Sequence, residues 1–171
     1  MLEYFELFEL PVQLKVDKEL VRQKFFLLSR KYHPDHFAAA EASEQDEVLE
    51  NAATLNKAYK ILTNDDDLIR YVLTEKGLLQ TDEKYPLSSD FLMEMMDLNE
   101  ELPEAMDDES ARIQLVQQLL NWKNSIYEPV KEIVEDYKEG ITSEEELLQV
   151  KDYYYKKKYL QRLAQQLGQK L

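Results

Sequence analysis

The chain has 171 residues and a formal net charge of −14, with 44% hydrophobic and 33% charged residues. This length suits one ordinary domain or two small ones, and the composition is that of a globular protein. So acidic a chain is poorly suited to nucleic acid, whose phosphates require a basic surface. The absence of cysteine excludes disulfides, thiol nucleophiles and thiolate metal sites.

Glycine and proline are scarce, at three and five residues, and good helix formers abound. The sequence therefore predicts an all-α protein. Its amino terminus has neither the basic segment nor the apolar core of a signal peptide. No apolar run approaches the roughly 20 residues that a membrane-spanning helix needs. We expect a soluble, cytoplasmic protein that does not engage a membrane.

The first part of the chain predicts an antiparallel pair of helices flanked by two short ones. Asp17 is a suitable N-cap for a helix that runs to about Tyr32, where His33-Pro34-Asp35 ends it, because the residue before a proline disfavours helical geometry. Ser43-Glu44-Gln45-Asp46 resembles a capping box that opens the second helix. The two short helices are expected at about residues 2–9 and 66–76.

Gly77 and Tyr85-Pro86 mark a break between two domains. Gly77 is a suitable C-cap, and Tyr85-Pro86 interrupts helical geometry a few residues later. The expected limits are residues 1–77 for the first domain, 78–87 for a linker and 88–171 for a second, helical domain.

The second domain is predicted to be a three-helix bundle around one apolar seam. Its helices are expected at about residues 88–102, 108–139 and 142–171. Ser88 or Ser89 caps the first helix, which stops before Pro103. Pro129 is expected to kink the second helix because it removes a backbone donor. Thr142-Ser143-Glu144-Glu145 resembles a capping box for the last helix.

A basic segment stands out in this acidic chain. Residues 11–36 carry six Lys or Arg residues against three Asp or Glu residues. Such a local excess of positive charge is typical of a docking surface for an acidic partner, although a solvated helix face gives the same pattern. The candidate docking residues on the predicted helix are Arg22, Lys24, Arg30 and Lys31.

His33-Pro34-Asp35 is the most informative motif in the sequence. It lies in the loop between the two predicted helices, after the basic helix and before Asn56-Lys57-Ala58-Tyr59-Lys60-Ile61-Leu62. Together with Tyr4-Phe5-Glu6-Leu7-Phe8-Glu9-Leu10 and Arg70-Tyr71, these segments resemble a J-domain. The resemblance implies that His33, Pro34 and Asp35 stimulate the ATPase of a 70-kDa heat-shock chaperone. His36 stands where many J-domains have lysine, which weakens the basic contact there.

Other interpretations of this motif are open from the residues alone. Pro34 and Asp35 can simply form a capped turn. His33 and His36 could bind a metal ion, but two histidines without cysteine rarely complete a site. A catalytic His–Asp pair would need a nucleophile, and the sequence has no recognisable serine or cysteine elbow.

The helix predicted after Ser88 carries more apolar residues than one buried face needs. At about 100° per residue, four of them share one side and three form a second group about 130° away. The first group is Phe91, Met95, Leu98 and Leu102, and the second is Leu92, Met93 and Met96. The second group is either further core or an exposed patch, rimmed by Asp97 and Glu100, that binds a protein.

Phe91-Leu92-Met93-Glu94-Met95-Met96-Asp97-Leu98, in a helical domain that directly follows the J-domain motif, resembles the HscB family. The resemblance covers essentially the whole chain. It implies that the second helix face binds an iron–sulfur cluster scaffold of the IscU type, next to an aromatic residue of the last helix. The implied scaffold-binding residues are Leu92, Met93, Met96, Asp97, Glu100 and Tyr155.

The resemblance thus predicts a bacterial, non-enzymatic adaptor that brings the scaffold to a chaperone of the HscA type. We expect no cofactor, cluster or metal of its own, because thiolates usually hold iron–sulfur clusters. The alternatives are a J-protein with a different client, a metal-dependent hydrolase that uses His33, Asp35 and His36, and a structural protein that only oligomerises.

Overall fold

The computed structural model describes residues 2–171, which are folded into helices and loops without a strand in that range. The predicted all-α class is confirmed. The chain forms two compact units. One runs to Gly77 and includes Tyr137–Ile141, and the other comprises Leu78–Asp136 and Thr142–Leu171. The limits predicted for two domains and a linker remain a prediction.

The nine α-helices of residues 2–171 are α1 (Glu3–Leu7), α2 (Lys18–Lys31), α3 (Ala42–Thr63), α4 (Asp65–Glu75), α5 (Ser89–Glu100), α6 (Leu102–Asp107), α7 (Glu109–Tyr127), α8 (Lys131–Glu135) and α9 (Glu144–Gln166).

The first unit is built on the packing of α2 against α3. Lys18 at the start of α2 forms an ion pair of 2.8 Å with Asp65, just after α3 ends, so the two helices are antiparallel as expected. Phe25 stacks on Tyr59 with ring centroids 4.2 Å apart. Burial of these facing apolar surfaces is the main source of stability for such a pair. The buried side chains of the unit include Phe5, Phe8, Leu14, Val21, Leu55, Leu62, Leu68 and Val72.

The cap of α2 is the predicted one, whereas the predicted cap of α3 is wrong. The carboxylate of Asp17 accepts hydrogen bonds from the backbone of Glu19 and Leu20, at 3.0 and 3.1 Å. The N-cap of α3 is Glu41, and Ser43 lies inside the first turn. The side-chain amide of Gln45 donates to the loop carbonyls of Ala38 and Ala40. These bonds fix the loop against the first turn, so the helix begins before Ser43.

In the second unit, prolines begin helical turns at positions where the sequence predicts an end or a kink. Ser88 caps α5, which ends at Glu100, and Pro103 then lies in the first turn of the unpredicted α6. A proline fits there because the first turn needs no backbone donor. Pro129 lies in a short 3-10 turn, so the helix expected to reach Glu139 is divided into α7 and α8 and ends at Glu135.

The last helix has the predicted kind of cap, displaced by one residue. Ser143 and Glu146 form the capping box, with the Ser143 hydroxyl accepting from the Glu146 backbone at 3.2 Å and the Glu146 carboxylate accepting from the Ser143 backbone at 2.8 Å. α9 ends at Gln166 rather than near Leu171. The buried core of this unit includes Phe91, Met95, Leu98, Leu102, Leu115, Leu119, Val150 and Leu160.

Candidate functional site

The His33-Pro34-Asp35 motif forms an exposed turn between α2 and α3. His33 caps a short 3-10 helix, and its Nδ1 accepts a hydrogen bond of 3.3 Å from the backbone N–H of Asp35. With Nδ1 acting as acceptor, the proton of the neutral ring is on Nε2. The side chain of His33 is 54% exposed and that of Asp35 is 89% exposed. The turn therefore offers one imidazole and one solvated carboxylate to a partner.

Helix α2 leads into this turn with a surface that is both basic and apolar. Arg22, Arg30 and Lys31 are exposed, and Lys24 is half-buried. The Arg22 guanidinium lies 5.7 Å from the ring centroid of Phe26, which is itself exposed. Exposed apolar residues extend this surface, and sequence reasoning missed them. They are Leu20, Phe26 and Leu27, whose only signal is that α2 carries apolar residues beyond its inward face.

The two faces of α5 differ as expected. Phe91, Met95 and Leu98 are buried, as is Leu102 at the start of α6, which confirms the predicted inward face. On the other side, Met93 is 62% exposed and Met96 is 60% exposed. Asp97 and Glu100 are exposed beside them. We call these four exposed residues the α5 patch. Its mixture of adaptable thioethers and acidic groups is suited to binding a protein.

Leu92 departs from the interpretation of the second group as a fully exposed patch, because it is half-buried. It stands at the edge of the α5 patch, where it lines a groove together with Tyr155 and Tyr159 of α9. Tyr155, the aromatic residue chosen for the candidate site, thus lies in the same groove as Leu92. Its neighbours Tyr153 and Tyr154 are buried.

Residues 78–87 are held along α9 by Lys151, Tyr85 and Tyr155. The ammonium of Lys151, almost fully buried, donates to the Leu78 carbonyl and to the Glu83 carboxylate, each at 2.7 Å. Tyr85 stacks on Tyr155 with centroids 4.6 Å apart, and its hydroxyl donates to Asp152 at 3.0 Å. We call this segment the strap.

The electrostatics of the strap follow from burial and from the Lys151 contact. The ammonium of Lys151 holds the pKa of Glu83 below its usual range. Burial raises the pKa of Tyr85 and of Tyr155 to about 12. Both phenols therefore keep their protons at neutral pH and act as donors, Tyr155 to Glu83 at 3.4 Å.

Replacing Lys151 with methionine is expected to lower the free energy of unfolding by about 1–3 kcal/mol, because the Leu78 carbonyl and Glu83 lose their shared donor. Urea denaturation at pH 7 measures this change. Lys156→Met is the control, since its ion pair with Asp152 is partly exposed and contributes at most about 1 kcal/mol. Equal losses in the two variants would contradict the role of the strap.

The loss caused by Lys151→Met should shrink in acid. Glu83 has a folded-state pKa below its usual value of 4.5, so its pairing contributes stability above that pH and loses it as pH falls through the folded pKa. The difference between the denaturation midpoints of parent and variant, measured from pH 7 down to the acid limit of folding, should therefore decrease, while the part due to the Leu78 carbonyl remains. A difference that stays constant in acid would exclude Glu83 as the relevant partner.

Comparison with known proteins covers both units. The HSCB C-terminal oligomerisation domain model matches residues 87–168. The co-chaperone protein HscB homolog of Photobacterium profundum is 35% identical over 122 residues, which are 69% of this chain and 71% of that protein. The chain belongs to the HscB co-chaperone family. The HscB homolog of Bordetella avium is 28% identical over 163 residues, 95% of each chain.

Solved HscB structures share this fold. Chaperone HscB from Vibrio cholerae superposes with a TM-score of 0.76 at 27% identity, covering 96% of this chain and 94% of that one. Human co-chaperone HscB gives a TM-score of 0.81 at 23% identity, covering 96% and 80%, which shows the fold. The HscB resemblance inferred from the two motifs is therefore confirmed.

Within residues 2–171, no three His, Cys, Asp or Glu side chains are grouped so that they could hold a metal ion. The rings of His33 and His36 lie 6.0 Å apart. No helix in the same range is long and apolar enough to cross a membrane.

Proposed function

We propose that this HscB-family chain stimulates the ATPase of a 70-kDa heat-shock chaperone of the HscA type and delivers an IscU-type iron–sulfur scaffold to it. The observation that carries the proposal is the exposed His33-Pro34-Asp35 turn at the end of a basic helix, in a chain of this family. The turn supplies short-range polar contacts, and the α2 charges supply long-range attraction. Contacts that favour the hydrolysis-competent state of the chaperone shift its equilibrium toward that state.

The α5 patch, with Leu92 and Tyr155, is the proposed binding site for the scaffold. Met93 and Met96 are large apolar side chains left in solvent, although α5 already buries three others. Exposed apolar area rimmed by acid supports a protein-binding role better than a purely structural one. The chain acts as an adaptor in this proposal, and the scaffold supplies the ligands of the cluster.

A chaperone ATPase assay tests the proposal. An HscA-type chaperone is measured alone, with this chain, with the IscU-type scaffold, and with both. We expect this chain to stimulate hydrolysis, and the scaffold to raise the rate further when both are present. Stimulation that the scaffold leaves unchanged would favour a different client. No stimulation at all would exclude the chaperone role.

A further inference from the structure

The groove beside Leu92 has a charge opposite to that of the chain as a whole. α9 presents one face toward it, with Tyr155, Lys158, Tyr159 and Arg162 at helical spacing, and Lys84 of the strap lines it from the other side. We call these residues, with Leu92, the basic groove. Its aromatic rings and cations lie in a chain whose net charge is −14.

The cations of the basic groove are not neutralised by acids of the structure. Glu83, the one acidic residue in its lining, is already paired with Lys151 at 2.7 Å. Lys156, which precedes Lys158 by two residues on α9, is paired with Asp152. Lys84, Lys158 and Arg162 are exposed and have no acidic partner in the part of the chain that the structure describes. The ammonium of Lys158 lies 6.0 Å from the ring centroid of Tyr154.

The basic groove continues directly into the α5 patch through Leu92. With Leu92 taken as zero, Met96, Met93 and Asp97 follow around the helix at about 40°, 100° and 140°. Cations therefore lie on the Leu92 side of the patch, whereas its acidic residues lie away from that side, Glu100 at about 80° and Asp97 at about 140°. A partner that covers the exposed methionines meets positive charge along one edge and negative charge along the other.

We propose that the basic groove binds an acidic peptide segment of the protein that covers the α5 patch, and thereby fixes the orientation of that protein. Only the identity of this partner, the IscU-type scaffold, rests on the proposed function. Carboxylates of the segment pair with Lys158 and Arg162, while the tyrosine rings and Leu92 contact its apolar side chains. Opposite charges at the two edges favour one docked orientation, because the reversed one places like charges together.

Charge reversal on α9 tests the proposal. We expect Lys158→Glu/Arg162→Glu to weaken scaffold binding about tenfold or more and to reduce its salt dependence. Lys131→Glu/Lys170→Glu is the matched control, because it changes the net charge equally at exposed positions outside the groove. Calorimetric titrations at two salt concentrations measure both effects. Equal weakening by the two double variants would overturn the proposal.

A second arm does not depend on the scaffold. The folded parent chain is titrated with a short oligoglutamate peptide and, separately, with a single-stranded oligonucleotide, while backbone amide NMR shifts are followed. We expect the peptide to shift the signals of residues 155–162 and Leu92, and the shifts to vanish in the α9 double variant. If the scaffold fails to bind but these shifts occur, the proposed function fails and the groove assignment stands. If the oligoglutamate peptide causes no shifts of these signals, or if the oligonucleotide causes larger ones, the assignment of the basic groove to an acidic peptide is overturned.

Discussion

Replacing Met93 and Met96 with alanine is expected to weaken binding of the IscU-type scaffold about a hundredfold. Each side chain is mostly exposed in the free chain, and anchors that become buried in an interface commonly cost about 1–3 kcal/mol each on truncation. The same variant should keep nearly all of its stability, because no core cavity is created. Calorimetry measures the binding, and thermal unfolding measures the stability. Adding Leu92→Ala should weaken binding further and cost some stability, since Leu92 is half-buried.

Phe91→Ala on the opposite face of α5 is the matched control. Phe91 is 5% exposed, and its ring lies edge-on to those of Trp122 and Tyr159, at 5.9 and 6.2 Å. Its truncation should lower the free energy of unfolding by about 3 kcal/mol or more. The two faces thus give opposite outcomes. If the methionine variant unfolds, or binds the scaffold normally, the assignment of the α5 patch is wrong.

His33→Gln is expected to abolish stimulation of the chaperone ATPase, while helical content and scaffold binding are retained. The side chain is exposed, so its replacement opens no cavity. It removes the imidazole that the turn presents and the Nδ1 acceptor of the Asp35 N–H. The chaperone assay gives the first readout, and far-ultraviolet circular dichroism gives the second. A loss of helical signal would mean that the effect is structural.

His36→Gln provides the matched control for the turn. It makes the same chemical change three residues away, at an exposed position outside the tripeptide. We expect it to retain most of the stimulation. Undiminished stimulation by His33→Gln, or an equal loss in both variants, would contradict the assigned role of the tripeptide.

The helices that could be predicted from the sequence are those whose signals are local. Asp17 and Ser88 cap their helices as expected, since a cap depends on residues two or three positions away. The errors arise where two local signals compete. Glu41 rather than Ser43 is the N-cap of α3, because Gln45 bonds back to the preceding loop. Pro103 predicts the end of one helix, although the same residue also fits the first turn of another.

In the candidate site too, features with a local sequence signal could be predicted and features that depend on distant residues could not. The inward and outward faces of α5 follow from helical periodicity within twelve residues of sequence. The strap could not be predicted, because Lys151 and Glu83 are 68 residues apart and nothing near either one identifies its partner. For the same reason the groove between α9 and Leu92 has no sequence signal. Tyr155 could be named as a candidate, but the rotation of α9 that buries Tyr153 and Tyr154 depends on tertiary packing.

The strap also has a consequence for the order in which this chain folds. Joining Lys151 to Glu83 closes a loop of 68 residues, whereas about ten residues connect α2 to α3. Closing the longer loop costs about 2 kcal/mol more in chain entropy than closing the shorter one. This cost precedes any stabilisation by the contacts that the closure makes. Long-range contacts of this kind therefore form late, after the local helix pairs. Lys151→Met, which removes this closure, should therefore speed unfolding more than it slows refolding in stopped-flow measurements.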